Sequence, residues 1–590
     1  MEDLIVSRTR AAHADESEHV TQWLAEFEDA LQLGDRAALA TVFAQDCHWR
    51  DLLAFTWNIT PHVGTAAIVD GLVAAQPRVH ARNFRIAPGR TPPRRVKRVG
   101  CEVIEAIIAF ETQAGRGHGL LRLLATQPNR AWVLMTSLEE LKGHEEPINE
   151  RRPSGDDYSR IFGGKNWADL RAQEQAFADR EPAVLIVGAG QAGLSIAARL
   201  RRLNVDTLVV DKLPRVGDVW RARYHALALH NKVPLNHMVY LPFPPSWPDF
   251  LPKDMLGNWL ETYAWAMECN VWTGTTLLQG AYDEAAGHWS ARVRRADGTE
   301  RVLRPRHLIF ANGVAGRPRM PQAPGLEDFE GEVIHTHDYT EGSRWRGKKV
   351  LVLGTGTSGH DIAQDLHGHG AKVHMIQRGS VTVVSVKAGS INHALYYDEG
   401  LPTADCDLIS TSATYPLLVR GYQLAVKRML EMDKELLAGL KARGFQMDMG
   451  EDGTGHQMKF RRRFGGYYLN CGCSELIVSG DIGLLQYADI DRFVPQGVRM
   501  KDGRVIEADL LVAATGYQSQ QEVVREILGD AMADKVGPIW GIAADGELEN
   551  MFRPTPQQGL WFAGGGFAQA RIYSQYIALL IKAREAGLVS

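Results

Sequence analysis

The 590-residue sequence predicts an α/β chain of two nested Rossmann-like dinucleotide-binding domains preceded by an α+β domain. Three observations carry this. A short β-branched run at 184–187 enters Gly188, Gly190 and Gly193, spaced GxGxxG, with small residues and leucines following at helical intervals. The same plan returns at 349–359, where Gly354, Gly356 and Gly359 keep that spacing. Residues 1–145 lack any such signal and read as helices followed by long strands.

Taken in order, Val20, Trp23, Leu24, Phe27 and Leu31 fall on one helical face, and Gly34-Asp35 interrupts it. The segment 48–57 is rich in aromatics and carries His48 and Asp51, read as polar pocket or capping residues. Strands are expected over 95–110, 118–126 and 131–141. Two or three helices followed by a curved antiparallel sheet resembles the SnoaL-like, ketosteroid-isomerase-like cone. The apolar stretch 103–110 would offer an open sheet face, which permits a homodimer through the N-terminal domain. The charged, Gly- and Pro-bearing linker 146–180, with one helix over 167–177, suggests that this domain folds as its own unit.

In the first glycine motif, Gly188 permits the tight turn, Gly190 clears the path of a pyrophosphate, and Gly193 lets the helix pack on the strand. The helix N-terminus presents free N–H groups to the phosphates. Asp211 ends the second strand, about twenty residues on, where a carboxylate accepts from a ribose hydroxyl. This suits FAD, with Lys212, Gly217 and Trp220 continuing the site. The Pro- and aromatic-rich stretch 229–252 reads as an irregular wall and holds His230 and Asn231. A helix over 254–266 and strands over 271–302, turning at Asp297-Gly298, lead to a strand at 307–310 and then Ala311-Asn312-Gly313.

In the second module Gln377-Arg378 stands where the first has Asp211. A base in place of the acid favours the 2′-phosphate of NADPH. The NADPH set is Gly354, Gly356, Thr357, Ser358, Gly359, Arg378 and Asn312, with Lys387 a second candidate for the phosphate. An insertion at about 388–464 is helical with mixed faces over 417–440 and carries a basic run at 459–463. Its Arg461, Arg462 and Arg463 read either as a solvated face or as a patch for the nicotinamide cofactor's phosphates. A hairpin at 498–505 and a strand at 510–513 entering Ala514-Thr515-Gly516-Tyr517 mirror the first module. A last strand, the glycine turn of Gly564 and Gly565, and a helix over 574–583 bring N–H groups to a cofactor's edge. The expected partition is 1–145, the linker 146–180, an FAD domain of 181–345 and 479–590, and an NADPH domain of 346–478.

The most specific string is Phe329-x-Gly331-x-x-x-His335-x-x-x-Tyr339, just before the second glycine turn. With both glycine motifs and Ala514-Thr515-Gly516-Tyr517, it resembles the flavin-containing monooxygenases, a class B flavoprotein family, over residues 181–590. Tyr339 departs from the Trp usual in Baeyer–Villiger relatives. Leu229-His230-Asn231-Lys232 looks closer to the plant auxin-synthesis relatives than to the amine oxidisers. The resemblance implies that NADPH reduces FAD, that the flavin forms a C4a-(hydro)peroxide with O2, and that one oxygen atom passes to a small substrate at an N, S or carbonyl centre. The alternatives are a Baeyer–Villiger-type or oxidative decarboxylating monooxygenase, or a flavoprotein like the pyridine-nucleotide disulfide reductases. No nucleophile–base set is expected, because the cofactor does the chemistry. Motif residues His335 and Tyr339 and wall residues His230 and Asn231 are the candidates nearest catalysis, with the Phe329 string also read as a packed interdomain linker.

Composition narrows the class. The chain is 45% hydrophobic and 23% charged with net charge −4, so no global field favours nucleic acid or an anionic membrane. No apolar run is long enough to span a bilayer, and the N-terminus lacks a signal-peptide core. Six scattered cysteines fit a reducing cytoplasm better than a disulfide framework, and no metal-ligand cluster is evident. The expected partners are therefore a small-molecule substrate and O2, with no nucleic acid and no membrane.

Overall fold

The computed structural model of the chain describes residues 2–154, 162–314 and 316–589, with side chains from residue 15 onwards. The linker expected at 146–180 therefore lies partly outside the described residues. After the helix Glu2–Leu33, the Asp35 carboxylate caps Arg36–Thr41 by accepting from the Ala37 and Ala38 N–H groups. A seven-stranded sheet follows, in the order 59–63, 43–52, 127–141, 115–124, 101–111, 82–86, with 94–98 also paired to 101–111.

This domain differs from the expected helices-then-antiparallel-sheet order in two respects. The strand Phe43–Leu52 runs parallel to Gln127–Leu141, and the helix Thr65–Val79 sits between strands. A parallel pair needs a long crossover, and the intervening strands and helix supply it. The run expected as one strand over 95–110 is a hairpin. It turns at Val99 (φ 50°) and Gly100 (φ 84°). Aromatic rings fill the interior. Phe84 stacks on Phe110 at 5.2 Å and His62 on Trp49 at 4.6 Å.

The first parallel sheet has the order 271–272, 207–210, 184–187, 307–310, 560–562. The second has the order 332–335, 510–513, 349–353, 372–377, 483–486. A three-stranded antiparallel sheet accompanies each, at 276–303 and 490–507. In Lys349–Leu353, Val350 and Val352 join one apolar cluster and Leu351 and Leu353 another, as a strand buried on both faces requires. The sheet pairing moves the expected boundary. Residues 332–335 and 483–513 were placed with the first domain, yet their strands build the second sheet. The Phe329 string is thus an edge strand of that sheet, Glu332–His335, paired in register with Leu510–Ala513.

The insertion is helical over the expected 417–440, as two helices, Tyr415–Met432 and Lys434–Ala442. The break falls at Asp433, whose carboxylate accepts from Ser385 N and Oγ, both at 2.7 Å. The N-terminal sheet packs against this insertion and the last helix, Phe567–Glu585. Val103, Trp132 and Val133 share one apolar cluster with Leu417. Buried Glu105 accepts from Arg94, Arg98 and Arg122, and Arg94 and Arg98 also reach Glu399. The Ser137 and Tyr576 hydroxyls lie 3.1 Å apart. The 103–110 stretch is therefore not an open pairing face. Its own chain covers it, so a homodimer formed there would have to displace these contacts.

Candidate functional site: two glycine turns

The two glycine motifs fold as near copies. Gly188 has φ 112° and Gly354 φ 118°, a backbone that suits only glycine. A Cβ on Gly188 would lie 2.6 Å from Ala311 O, and one on Gly354 2.4 Å from Ala514 O. A Cβ on Gly193 would lie 2.0 Å from Gly188 O, and one on Gly359 2.3 Å from Gly354 O. These four glycines are demanded by the chain's own turn and packing.

Gly190 and Gly356 are different. Each caps the N-terminus of its helix in extended backbone, φ −81° and −82°, which any residue adopts. A Cβ on Gly190 meets nothing within 4 Å, and one on Gly356 only Tyr467 O at 4.0 Å. Neither the backbone nor the packing asks for glycine there. Both spaces lie at a helix N-terminus, where N–H groups and the positive dipole end face outward. The cradle fits a pyrophosphate at each turn.

The surroundings fit too. Asp211 accepts from Ala189 N at 2.7 Å and Leu213 N at 2.8 Å, which fixes the carboxylate beside the first turn. A carboxylate has about four acceptor sites, so two remain for a ribose diol. Lys212 is exposed next to it. Gly217 (φ 90°) abuts Gly257 O and starts the helix Asp218–Arg221, whose Trp220 stacks on Phe567 at 5.9 Å. The Trp220 Nε1, Gln520 Oε1 and Tyr517 hydroxyl are buried without a hydrogen-bond partner among the described residues. Such orphans belong where a ligand supplies the missing bond. The Gln191 side chain donates to Gly565 O at 2.9 Å, which ties the last turn, with Gly564 and Gly565, to the first glycine helix. Sequence reasoning missed Gln191, because its role appears only once residues 374 apart meet.

At the second turn the Thr357 hydroxyl donates to Tyr467 O at 3.2 Å, and Ser358 is half-buried. Arg378 is exposed just past the strand Lys372–Gln377 and has no ion-pair partner among the described residues. Beside it Gln377 is buried, exchanging bonds with the Gln446 backbone. His360 and Tyr468, also missed, stack at 3.9 Å behind the turn, and burial lowers His360 to about 4, so it is neutral. Asn312, grouped with the NADPH set, lies elsewhere. Its Cα faces Gly188, and its side chain accepts from Gln520 Nε2, which places it at the first turn.

The motif residues hold structure. His335 is 1% exposed; its Nε2 lies 3.0 Å from Gly516 O, and its Nδ1 accepts from His337 N. Burial lowers its pKa, so it is a neutral imidazole donating from Nε2. Tyr339, 2% exposed, donates to Asp365 on the second glycine helix, Thr357–Gly368. The string thereby locks the edge strand to both the Gly516 turn and that helix. His230 lies 4.0 Å from Asp361 of the same helix, and Tyr224 donates to Asp361 at 2.7 Å. Burial raises the Asp361 pKa. Asn231 offers its carbonyl to Asn236. In the N-terminal domain, Asp51 accepts from Phe55 N, Thr56 N and the Thr56 and Thr136 hydroxyls, a loop-holding role. His48 meets the Thr414 hydroxyl at 2.8 Å.

Two parallel sheets, each with its own glycine turn and bare N-cap glycine, define the two-dinucleotide-domain flavoprotein fold. A family model described as pyridine nucleotide-disulphide oxidoreductase matches residues 182–391. An indole-3-pyruvate monooxygenase (YUCCA1) of Oryza sativa subsp. japonica is 32% identical over 342 residues, covering 57% of this chain and 77% of that protein. A probable indole-3-pyruvate monooxygenase (YUCCA7) of Arabidopsis thaliana is 31% identical, with 57% and 74% covered. Among solved structures, a flavin-containing monooxygenase from Stenotrophomonas maltophilia aligns with TM-score 0.45 at 17% identity, over 68% of this chain and 98% of that one. The chain belongs to the flavin monooxygenase family and is an oxidoreductase. Among the described residues no helix is long and apolar enough to cross a membrane.

Proposed function

We propose that the chain is an FAD- and NADPH-dependent monooxygenase that transfers one oxygen atom from O2 to a small organic substrate at an N, S or carbonyl centre. The observation that carries this is the pair of bare N-cap glycines, Gly190 and Gly356, each at a helix start with space that the chain does not use. Asp211 beside the first supports FAD there, and the exposed Arg378 beside the second supports NADPH. Bound there, the flavin supplies hydride acceptance and oxygen activation. The chain's own residues bind and orient the two cofactors, and the stacked Trp220 and Phe567 with buried Met551 line the first site against water. The N-terminal domain, a SnoaL-like cone in this reading, braces the insertion through Val103, Trp132 and Leu417.

The disulfide-reductase alternative needs a redox cysteine pair at the flavin. All six cysteines are free, and the two nearest in sequence, Cys471 and Cys473, are separated by one glycine beside the second helix. Substrate identity is tested by a screen that follows NADPH consumption and hydrogen peroxide release together. Indole-3-pyruvate, the substrate named for the relatives, goes first, beside a tertiary amine, a thioether and a cyclic ketone. A substrate speeds the first signal and suppresses the second. Peroxide release equal to NADPH consumption with every compound would refute the oxygen-transfer reading.

A further inference from the structure

The N-terminal domain inserts one side chain into the module that follows it. Arg50, on the strand Phe43–Leu52, is 5% exposed although it lies at a domain border. Its guanidinium makes a bidentate pair with Glu547, Nε at 2.8 Å and Nη2 at 2.6 Å. It also donates to Thr411 O at 2.6 Å, at the end of the insertion helix Thr403–Thr411, and to the Tyr573 hydroxyl on the last helix at 3.3 Å. One residue thus meets three separate segments.

Glu547 stands at the tip of a hairpin. Residues 540–549 double back at Asp545-Gly546: Ala543 N donates to Glu547 O, Ile542 pairs with Leu548, and Trp540 N donates to Glu549 O. The base of the hairpin and the residues after it wall the last glycine turn. A Cβ on Gly565 would lie 3.4 Å from Trp540, and one on Gly564 3.2 Å from Met551 Cε. Phe552 N donates to Phe562 O at 2.9 Å, in the strand that enters that turn, and the Phe552 ring stacks on Tyr573 at 5.3 Å.

Among the described residues Arg50 is the only basic partner of Glu547, whose side chain is 11% exposed. Asp545 pairs with Arg553 of the same stretch. The basic run of the insertion goes elsewhere. Arg461 donates to Tyr422, Arg462 to Asp452 and Tyr415, and Arg463 is exposed. A carboxylate this enclosed is costly to leave unpaired. Without Arg50 it would turn outward to water and carry the tip with it, and Trp540 moves with the tip because the two hairpin arms are bonded.

We propose that Arg50 is a positioning residue for the flavin: by gripping Glu547 it holds the 540–549 hairpin against the last glycine turn, so the N-terminal domain sets how tightly FAD is kept. This rests on the reading of the first dinucleotide site as the FAD site. FAD binds the arrangement with the hairpin in place, so an apparent affinity falls in proportion to the time the hairpin spends there. The coupling is reciprocal, and bound FAD should hold the hairpin and Arg50 in turn.

The test is calorimetric titration of FAD into the flavin-free full-length protein, with the melting temperature of each flavin-free variant measured beside it. Arg50→Gln and Glu547→Gln should each weaken FAD about tenfold or more, as for a hairpin in place about a tenth of the time or less. The double variant should be no weaker than either single one, because the pair acts as a unit. Arg50→Lys, which keeps the charge and loses the fork, should lie between wild type and Arg50→Gln. Glu105→Gln breaks another buried pair of the N-terminal domain without touching the hairpin, so it should lower the melting temperature and leave FAD affinity unchanged. If Arg50→Gln misfolds, hydrogen exchange of the wild-type protein decides: FAD should slow exchange in residues 540–549 and also in 43–52. Wild-type FAD affinity in a folded Arg50→Gln, additive losses in the double variant, equal weakening by Glu105→Gln, or exchange in 43–52 that FAD leaves unchanged would each overturn the proposal. A wild-type protein that binds no FAD fails the first-site reading itself and takes the proposal with it, a result distinct from all of these.

Discussion

Alanine at Gly190 and at Gly193 should separate two roles that one motif combines. At Gly193 the new methyl would stand 2.0 Å from Gly188 O and 3.2 Å from Gly188 C, both backbone, so the first glycine helix must retreat by more than 1 Å from its strand. Overpacking of that kind costs about 1–3 kcal/mol, and the destabilisation should appear in the denaturant midpoint of the flavin-free protein. At Gly190 φ is −81° and nothing lies within 4 Å, so Gly190→Ala should leave the flavin-free midpoint within about 1 kcal/mol of wild type or slightly raise it. The same methyl intrudes where a pyrophosphate must approach the backbone. If it costs about 1–3 kcal/mol there, FAD affinity falls roughly 5- to 150-fold. Flavin-to-protein absorbance ratios and equilibrium unfolding of the apoprotein read the two effects apart. A Gly190→Ala protein that unfolds normally and binds FAD normally would refute the assignment of the first turn. One that loses flavin only because it has unfolded would refute the claim that the space is external to the fold.

Other outcomes follow from single contacts. Arg378→Ala should raise the Michaelis constant for NADPH about ten- to a hundredfold while barely moving that for NADH, because a charge-assisted bond to a phosphate is worth about 1.5–3 kcal/mol; an unchanged ratio would pass the role to another base, with Lys387 next. Glu105→Gln should destabilise the protein by about 3–5 kcal/mol, measured by denaturant unfolding, since it strands Arg122, whose side chain is 5% exposed. Burial alone would raise Glu105, but Arg122, Arg98 and Arg94 hold it down at about 2. A carboxylate depressed in the fold adds stability that is present above its unfolded value near 4.5 and is lost as pH falls toward 2, so the Glu105→Gln deficit should shrink across that window. Deleting residues 1–145 should lower the melting temperature of the remainder and expose Leu417 and Tyr576 to solvent, seen as increased binding of a hydrophobic dye; an unchanged melting temperature would show the N-terminal domain to be an independent unit.

The glycine turns were legible because glycine spacing, strand ends and the acid or base at the end of the next strand are local signals. The strands 184–187, 207–210, 307–310 and 510–513 stand where the apolar runs put them. Which sheet a strand joins is not local. Leu510–Ala513 carries the same apolar character as the strands of the first sheet, and only its pairing with Lys349–Leu353 and the edge strand Glu332–His335 assigns it to the second. Asn312, grouped with the second turn's set, stands beside the first for the same reason. The apolar stretch 103–110 signalled packing but not against what: Val103 meets Leu417, more than 300 residues away, and Ile104 and Ala106–Phe110 join the main core. The run Arg461–Arg463 shows the limit most plainly: three consecutive like residues take three different environments once the helix turns, and no composition rule separates them.

The central claim, two nucleotides on two glycine turns exchanging a hydride, is tested most directly by anaerobic titration of the purified full-length protein with NADPH. The account predicts a yellow protein, as isolated or after FAD is added. Its visible flavin band should bleach with NADPH far more readily than with NADH and return when oxygen is admitted. A protein that stays colourless with added FAD, or a bound flavin that NADPH cannot bleach, would contradict it.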